Sequence, residues 1–154
     1  MGKRINISWV AYIAIFFCSP AFSQGLGQVI AKQGYWELRK SKDGFSDKTT
    51  CVMVLSRDPT VQITAGQFYM NYRSRGGVQG FEYRIDEDAS SGMKLPSMTE
   101  KELGLIGIKD DLGNVLLGHR LRLKILTYRG LANEDINLTG LGDLYDKMLS
   151  KCPN

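Results

Sequence analysis

The sequence predicts a mostly β fold, an antiparallel β-sandwich or open barrel with a C-terminal α-helix and one disulfide. Three observations carry that expectation. Several short segments alternate apolar and polar residues with the period of two that a half-buried strand requires. Turn signals separate them, among them Asp43-Gly44 and "GGVQG". The closing stretch "LTGLGDLYDKMLSKCPN" changes period: Leu141, Leu144, Tyr145, Met148, Leu149 and Cys152 share one stripe of a helix.

The chain opens on "MGKRINISWVAYIAIFFCSPAFSQG". Lys3 and Arg4 precede an uncharged, mostly apolar run from Ile5 to Cys18, Pro20 ends it, and Ala21 and Ser23 are the small residues of a cut before Gln24. This pattern predicts a signal peptide over residues 1–23. The run is shorter than the roughly 18 to 20 residues a transmembrane anchor needs, so no spanning segment is expected in the mature chain. Cys18 follows two bulky phenylalanines, which does not suit a lipid-attachment site, and is expected to leave with the signal. Export places the protein in the periplasm or outside the cell. The chain's formal net charge of +4 includes Lys3 and Arg4, so the mature protein is only mildly basic and its charge argues for no nucleic-acid partner.

Residues 24–33 are weakly patterned and read as a flexible lead-in, so that the β-rich domain spans residues 34–154. Tyr35, Trp36 and Leu38 suit a first strand, Asp43-Gly44 turns the chain, and "TTCVMVL" is nearly continuous in apolar residues, as in a strand buried on both faces or lying under the helix. Val61, Ile63 and Ala65 share one face, whereas Phe68, Met70 and Tyr72 follow the opposite parity. A bulge or tight turn therefore belongs at Gly66. In "FEYRID", Phe81, Tyr83 and Ile85 point inward and Glu82, Arg84 and Asp86 outward. "DEDASSG" reads as a polar turn, and Ser97 or Thr99 can cap a short helix or turn in "PSMTEKELGLIGI". "DDLGN" reads as a turn, "HRLRLKILTY" as a strong strand, and "NEDINL" as a short strand or the approach to the last helix. Thr139 is placed to cap that helix, with Asp143 in its first turn and Lys147 and Lys151 toward its end.

Removal of the signal leaves two cysteines, Cys51 and Cys152, which in an exported chain read as one disulfide. It would close a loop of about 100 residues, worth on the order of 4 to 5 kcal/mol in the chain-entropy model. The alternative is a pair of free buried thiols.

Candidates for chemistry are few. His119 is the single histidine and has no evident nucleophile beside it. Asp86-Glu87-Asp88 fails as a calcium loop, because Ser91 and Ser97 occupy its glycine and final acidic positions. Asp110-Asp111 is most simply a turn. No metal site, cofactor motif or catalytic residue is expected. Asn137-Leu138-Thr139 is a glycosylation sequon of use only in a eukaryotic secretory pathway. Arg120, Arg122 and Lys124 form a cationic stripe on one strand face, which Arg73 and Arg75 can extend. The stripe has two readings: a site for an anionic glycan, lipid headgroup or acidic partner, or, more simply, a solvated edge strand guarded by charge.

Three segments, "GYWELRKSKDGFSDKTTCVMVL", "FEYRID" and "DINLTGLGDLYDKMLSKC", resemble the invasion-associated locus B family of small exported bacterial proteins. The resemblance implies a periplasmic or surface protein, linked in some pathogens to host-cell invasion, and it carries over no catalytic residue. The combined expectation is an exported protein that binds a protein or an anionic envelope or host component rather than an enzyme. The rivals are an inhibitor or accessory subunit of an envelope complex, and a small hydrolase whose carboxylates meet only in space.

Overall fold

The computed structural model describes residues 25–152. The expected signal peptide and its cleavage point lie outside the described residues. Among the described residues nine strands build two antiparallel sheets, accompanied by three α-helices and one 3-10 turn at Arg73–Arg75. The first sheet contains β1 (Gln28–Gln33), β2 (Trp36–Lys42), β3 (Thr49–Leu55), β4 (Asp58–Thr64), β5 (Gln67–Asn71) and β7 (Leu105–Ile108), in the order β1-β2-β3-β4-β5-β7. The second contains β6 (Gly80–Ile85), β8 (Arg120–Thr127) and β9 (Gly130–Asn137), with β8 in the middle. The helices are α1 (Met98–Leu103), α2 (Leu112–Leu117) and α3 (Leu141–Lys151). Among the described residues no helix is long and apolar enough to cross a membrane.

Register explains how alternation becomes a core. Trp36 pairs with Leu55, Leu38 with Met53, Met53 with Ile63, Ile63 with Phe68, and Phe68 with Ile108. Directly paired residues lie on one face, so all these buried side chains converge. Leu121, Leu123 and Ile125 of β8 supply the facing layer, and a single apolar cluster joins both sheets. Gly66, at φ +107°, turns β4 into β5 as the change of parity requires.

The helix α3 lies against β1, β2 and β3 and beside α2. Leu141, Leu144 and Met148 are buried, whereas Leu149, expected on the same stripe, is about half exposed. Cys51 and Cys152 form the disulfide, with Cα atoms 6.2 Å apart, and it joins the end of α3 to the buried face of β3.

Several local readings are corrected. Residues 28–33 are a strand rather than a flexible lead-in. Their period is obscured by a register shift between Val29 and Ala31, and pairing with β2 supplies the order. Thr139 does not cap α3: Gly140, at φ +83°, occupies the cap position, and the Thr139 N–H is taken by the Asn137 side chain at 2.9 Å. "DDLGN" leads into α2, held by burial of Leu112 and Val115 three residues apart. Ser97 does cap α1, exchanging hydrogen bonds with Glu100 in a capping box, and Gly104 ends the helix so that the next four residues can form β7.

Candidate functional site

The outward face of the second sheet gathers its charged side chains into one surface. Arg120, Arg122 and Lys124 alternate with the buried Leu121, Leu123 and Ile125 and so project to the same side. Because β8 is the central strand, its charges do not guard an edge; the solvated-edge reading fails on topology. Their neighbours follow from register. Lys124 stands opposite Glu82 and Asn133, and Arg122 stands opposite Arg84 and Asp135.

Each cation of the stripe has an acidic partner. Arg120 donates through Nε to both carboxylate oxygens of Asp135, at 2.9 and 3.0 Å, and Lys124 Nζ lies 3.1 Å from Glu82. Arg122 donates through Nη2 to Glu87 at 3.0 Å and to the main-chain carbonyl of Asp86. Arg84 donates to the other oxygen of the Glu87 carboxylate, also at 3.0 Å. The Nε atoms of both Arg84 and Arg122 are buried with no hydrogen-bond partner among the described residues. A groove of about 360 Å³ lies here, with Glu82, Arg84, Ser90, Arg122, Lys124 and Asp135 in its walls.

The turn after β6 is held from below. Asp86, at φ +48°, accepts main-chain N–H bonds from His119 at 3.1 Å and Arg120 at 2.8 Å. The His119 N–H bond leads the interactions that hold this carboxyl below its ordinary range. For Asp135 the hydrogen bond from Arg120 does the same.

Arg73 and Arg75 do not extend the stripe. Arg75 bonds Asp58 of β4 and, at 3.0 Å, Glu134 of β9. Glu134 pairs with the inward-facing Leu123, so this network lies on the other side of the sheet. The Arg73 backbone packs close to Gly104. His119 is exposed at the rim of a shallow depression shared with Thr139 and Asp143, and its Nδ1 lies 3.6 Å from Asp86. Among the described residues no hydroxyl or thiol hydrogen-bonds its ring, and no group of three His, Cys, Asp or Glu side chains is arranged to hold a metal.

Sequence alternation reveals the stripe and the outward direction of Arg84. It does not reveal that Arg84 faces Arg122, or that Glu87 bridges them, because both depend on the pairing of β6 with β8, which brings together residues 38 apart in the chain. Comparison with known proteins adds no assignment: no family model, no curated protein and no solved structure matches this chain.

Proposed function

We propose that the protein is exported and acts as a binding protein in the periplasm or at the cell surface, with the outward face of β6, β8 and β9 meeting an anionic partner. The observation that carries this reading is the position of the stripe on a central strand. There Arg84, Arg120, Arg122 and Lys124 are gathered on one face, paired with Glu82, Glu87 and Asp135. Exposed ion pairs of this kind contribute little to stability, typically about 0 to 1 kcal/mol, so their alignment is not explained by folding alone. The amino-terminal pattern supports export, and the likeness of three segments to the invasion-associated locus B family supports an envelope role.

Two probes test the reading: immobilised heparin, and vesicles of phosphatidylglycerol compared with phosphatidylcholine. Binding to at least one anionic probe, weakened by salt and lost when Arg120, Arg122 and Lys124 are all changed to Gln, is expected. Absence of binding to both, or binding indifferent to the triple change, overturns it. Intact mass of protein recovered from the periplasm or medium tests export. The expected mass begins at Gln24, and retention of Met1 to Ser23 overturns that part.

A further inference from the structure

We infer that the groove on the outward face of the second sheet is a site for an anionic amphiphile, its oxyanion head held by Arg84 and Arg122 and its hydrocarbon laid toward Leu126 and Leu131. This rests on the reading of that face as an anion-binding surface and specifies what it binds.

The head position follows from a charge conflict. Arg84 and Arg122 are direct cross-strand partners. Like charges placed opposite each other on a sheet repel, and the arrangement needs an anion between them. That place is taken by Glu87, whose two carboxylate oxygens lie 3.0 Å from one guanidinium each. Its side chain is 86% exposed and its tether is the turn after β6, so leaving the arginines exposes no core. Both Nε–H groups remain unsatisfied while Glu87 is in place. An incoming carboxylate, phosphate or sulfate can use these donors together with the Nη groups, in the fork geometry that favours arginine for oxyanions. Glu87 is thus a tethered competitor for the site.

The tail direction follows from the same register. Moving along β8 from Arg122 to Leu126, on one face, the charged pairs give way to an apolar end. Leu126 pairs with Leu131 on one side and with Gly80 on the other. Gly80 bears no side chain, and the space outside it is covered by the segment 93–95: the Met93 sulfur, the Lys94 main-chain oxygen and a Leu95 methyl would lie 3.0, 3.4 and 3.6 Å from a Cβ there. Met93, Leu95 and Leu131 are exposed. Four residues of strand separate the arginine pair from this end, about 13 Å, and the aliphatic stem of Lys124 lies between. A lone inorganic anion leaves the apolar end unused, and a neutral lipid leaves the arginine donors unmet.

Calorimetric titration of the full chain as recovered from cells, with decanoate, acetate and decanol each below its aggregation limit, separates the contributions. Decanoate is expected to bind at least tenfold more tightly than either acetate or decanol. Arg84→Gln and Arg122→Gln should each weaken it about tenfold or more, as loss of a charged hydrogen bond implies. Glu87→Gln should strengthen it severalfold by removing the competitor. Circular dichroism establishes that each variant is folded, and Leu131→Asn supplies a second test, since it should weaken decanoate and leave acetate unchanged. Decanoate no tighter than acetate, or Glu87→Gln no tighter than the parent, overturns the inference. Retained heparin or vesicle binding in that event leaves the broader reading intact, whereas loss of all anion binding removes both.

Discussion

Trp36 donates its indole Nε1–H to the main-chain carbonyl of Asn137, 2.9 Å away, and so joins the first residue of β2 to the last residue of β9 across the two sheets. The indole is fully buried. Trp36→Phe keeps an aromatic ring but removes the donor and part of the volume. It is expected to cost about 1 to 3 kcal/mol, read as a lowered urea midpoint at unchanged slope. A loss below about 0.5 kcal/mol, within the range of ordinary surface changes, would show that the bond is dispensable.

Arg75 makes a second inter-sheet tie, to Asp58 and Glu134, and Tyr72 donates its hydroxyl to the same Glu134 oxygen at 2.8 Å. The guanidinium and both carboxylates are each about a quarter to a third exposed, so solvent screens the network. Arg75→Met is expected to cost on the order of 1 to 2 kcal/mol, between the values for exposed and buried pairs. Adding Glu134→Gln should recover part of that loss, and strict additivity of the two changes would indicate no coupling.

The same network sets an acid limit. Burial alone would raise the Asp58 pKa, yet hydrogen bonds from Arg75 and Thr60 hold it below the ordinary carboxylate range. Glu37 is also lowered, first by its bond to Lys32, with burial opposing and Arg39 assisting. A carboxyl with a lower pKa folded than unfolded contributes stability above its unfolded value, about 4, and loses that contribution as pH falls through the folded value. The urea midpoint should therefore be nearly flat from pH 7 to about 5 and fall below about 4. Arg75→Met should shallow that fall, because it removes the partner that depresses Asp58. An equally steep fall in the variant would assign the acid limit to other groups.

At the alkaline end Tyr83 has the opposite sign. Burial, followed by its hydrogen bond to Asp111 at 2.7 Å, pushes the phenol pKa well above the ordinary tyrosine value. Its contribution is complete below the unfolded pKa, about 10, and declines as pH rises beyond it. Tyr83→Phe is expected to reduce the loss of stability between pH 9 and about 11, measured by the same unfolding assay. An unchanged alkaline limb would count against this assignment.

Cys152→Ser is expected to cost about 2 to 5 kcal/mol and to release α3 before the sheets melt. Hydrogen exchange should show lost protection at Leu144 and Met148 while Met53 and Ile63 stay protected. Thiol counting on unreduced, denatured protein should find Cys51 and Cys152 blocked. Full protection of α3 in the variant would show that packing of Leu141, Leu144 and Met148 holds it without the bond.

Legibility in the sequence followed the strength of period and punctuation. Strands β2 to β6 and β8 announce themselves because their alternating residues meet one core and clear turns bound them. The strand β1 does not, since its register shift breaks the period and β2 supplies its order. In β7, Ile106 and Ile108 flank Gly107, a pattern too short to distinguish from the tail of α1. The helix α2 has two buried residues in six, too few for a stripe. The cations of the site were visible as alternation along β8. The meeting of Arg84, Arg122 and Glu87 was not, because it belongs to the pairing of β6 with β8 and to the turn that follows β6.

The strand order has a consequence for the growing chain. In sequence β6 belongs to the second sheet, β7 returns to the first, and β8 goes back to the second. No cut along this part of the backbone yields two complete sheets. While a ribosome has made only β1 to β5, the hydrogen-bonding groups of β5 that β7 will cover remain open, with Phe68 and Met70 beside them. Chains arrested before Leu105 thus carry an uncovered strand flank, a template for pairing with one another. Release from that hazard comes only when β7 emerges and pairs with β5, while the second sheet still waits for β8 and β9.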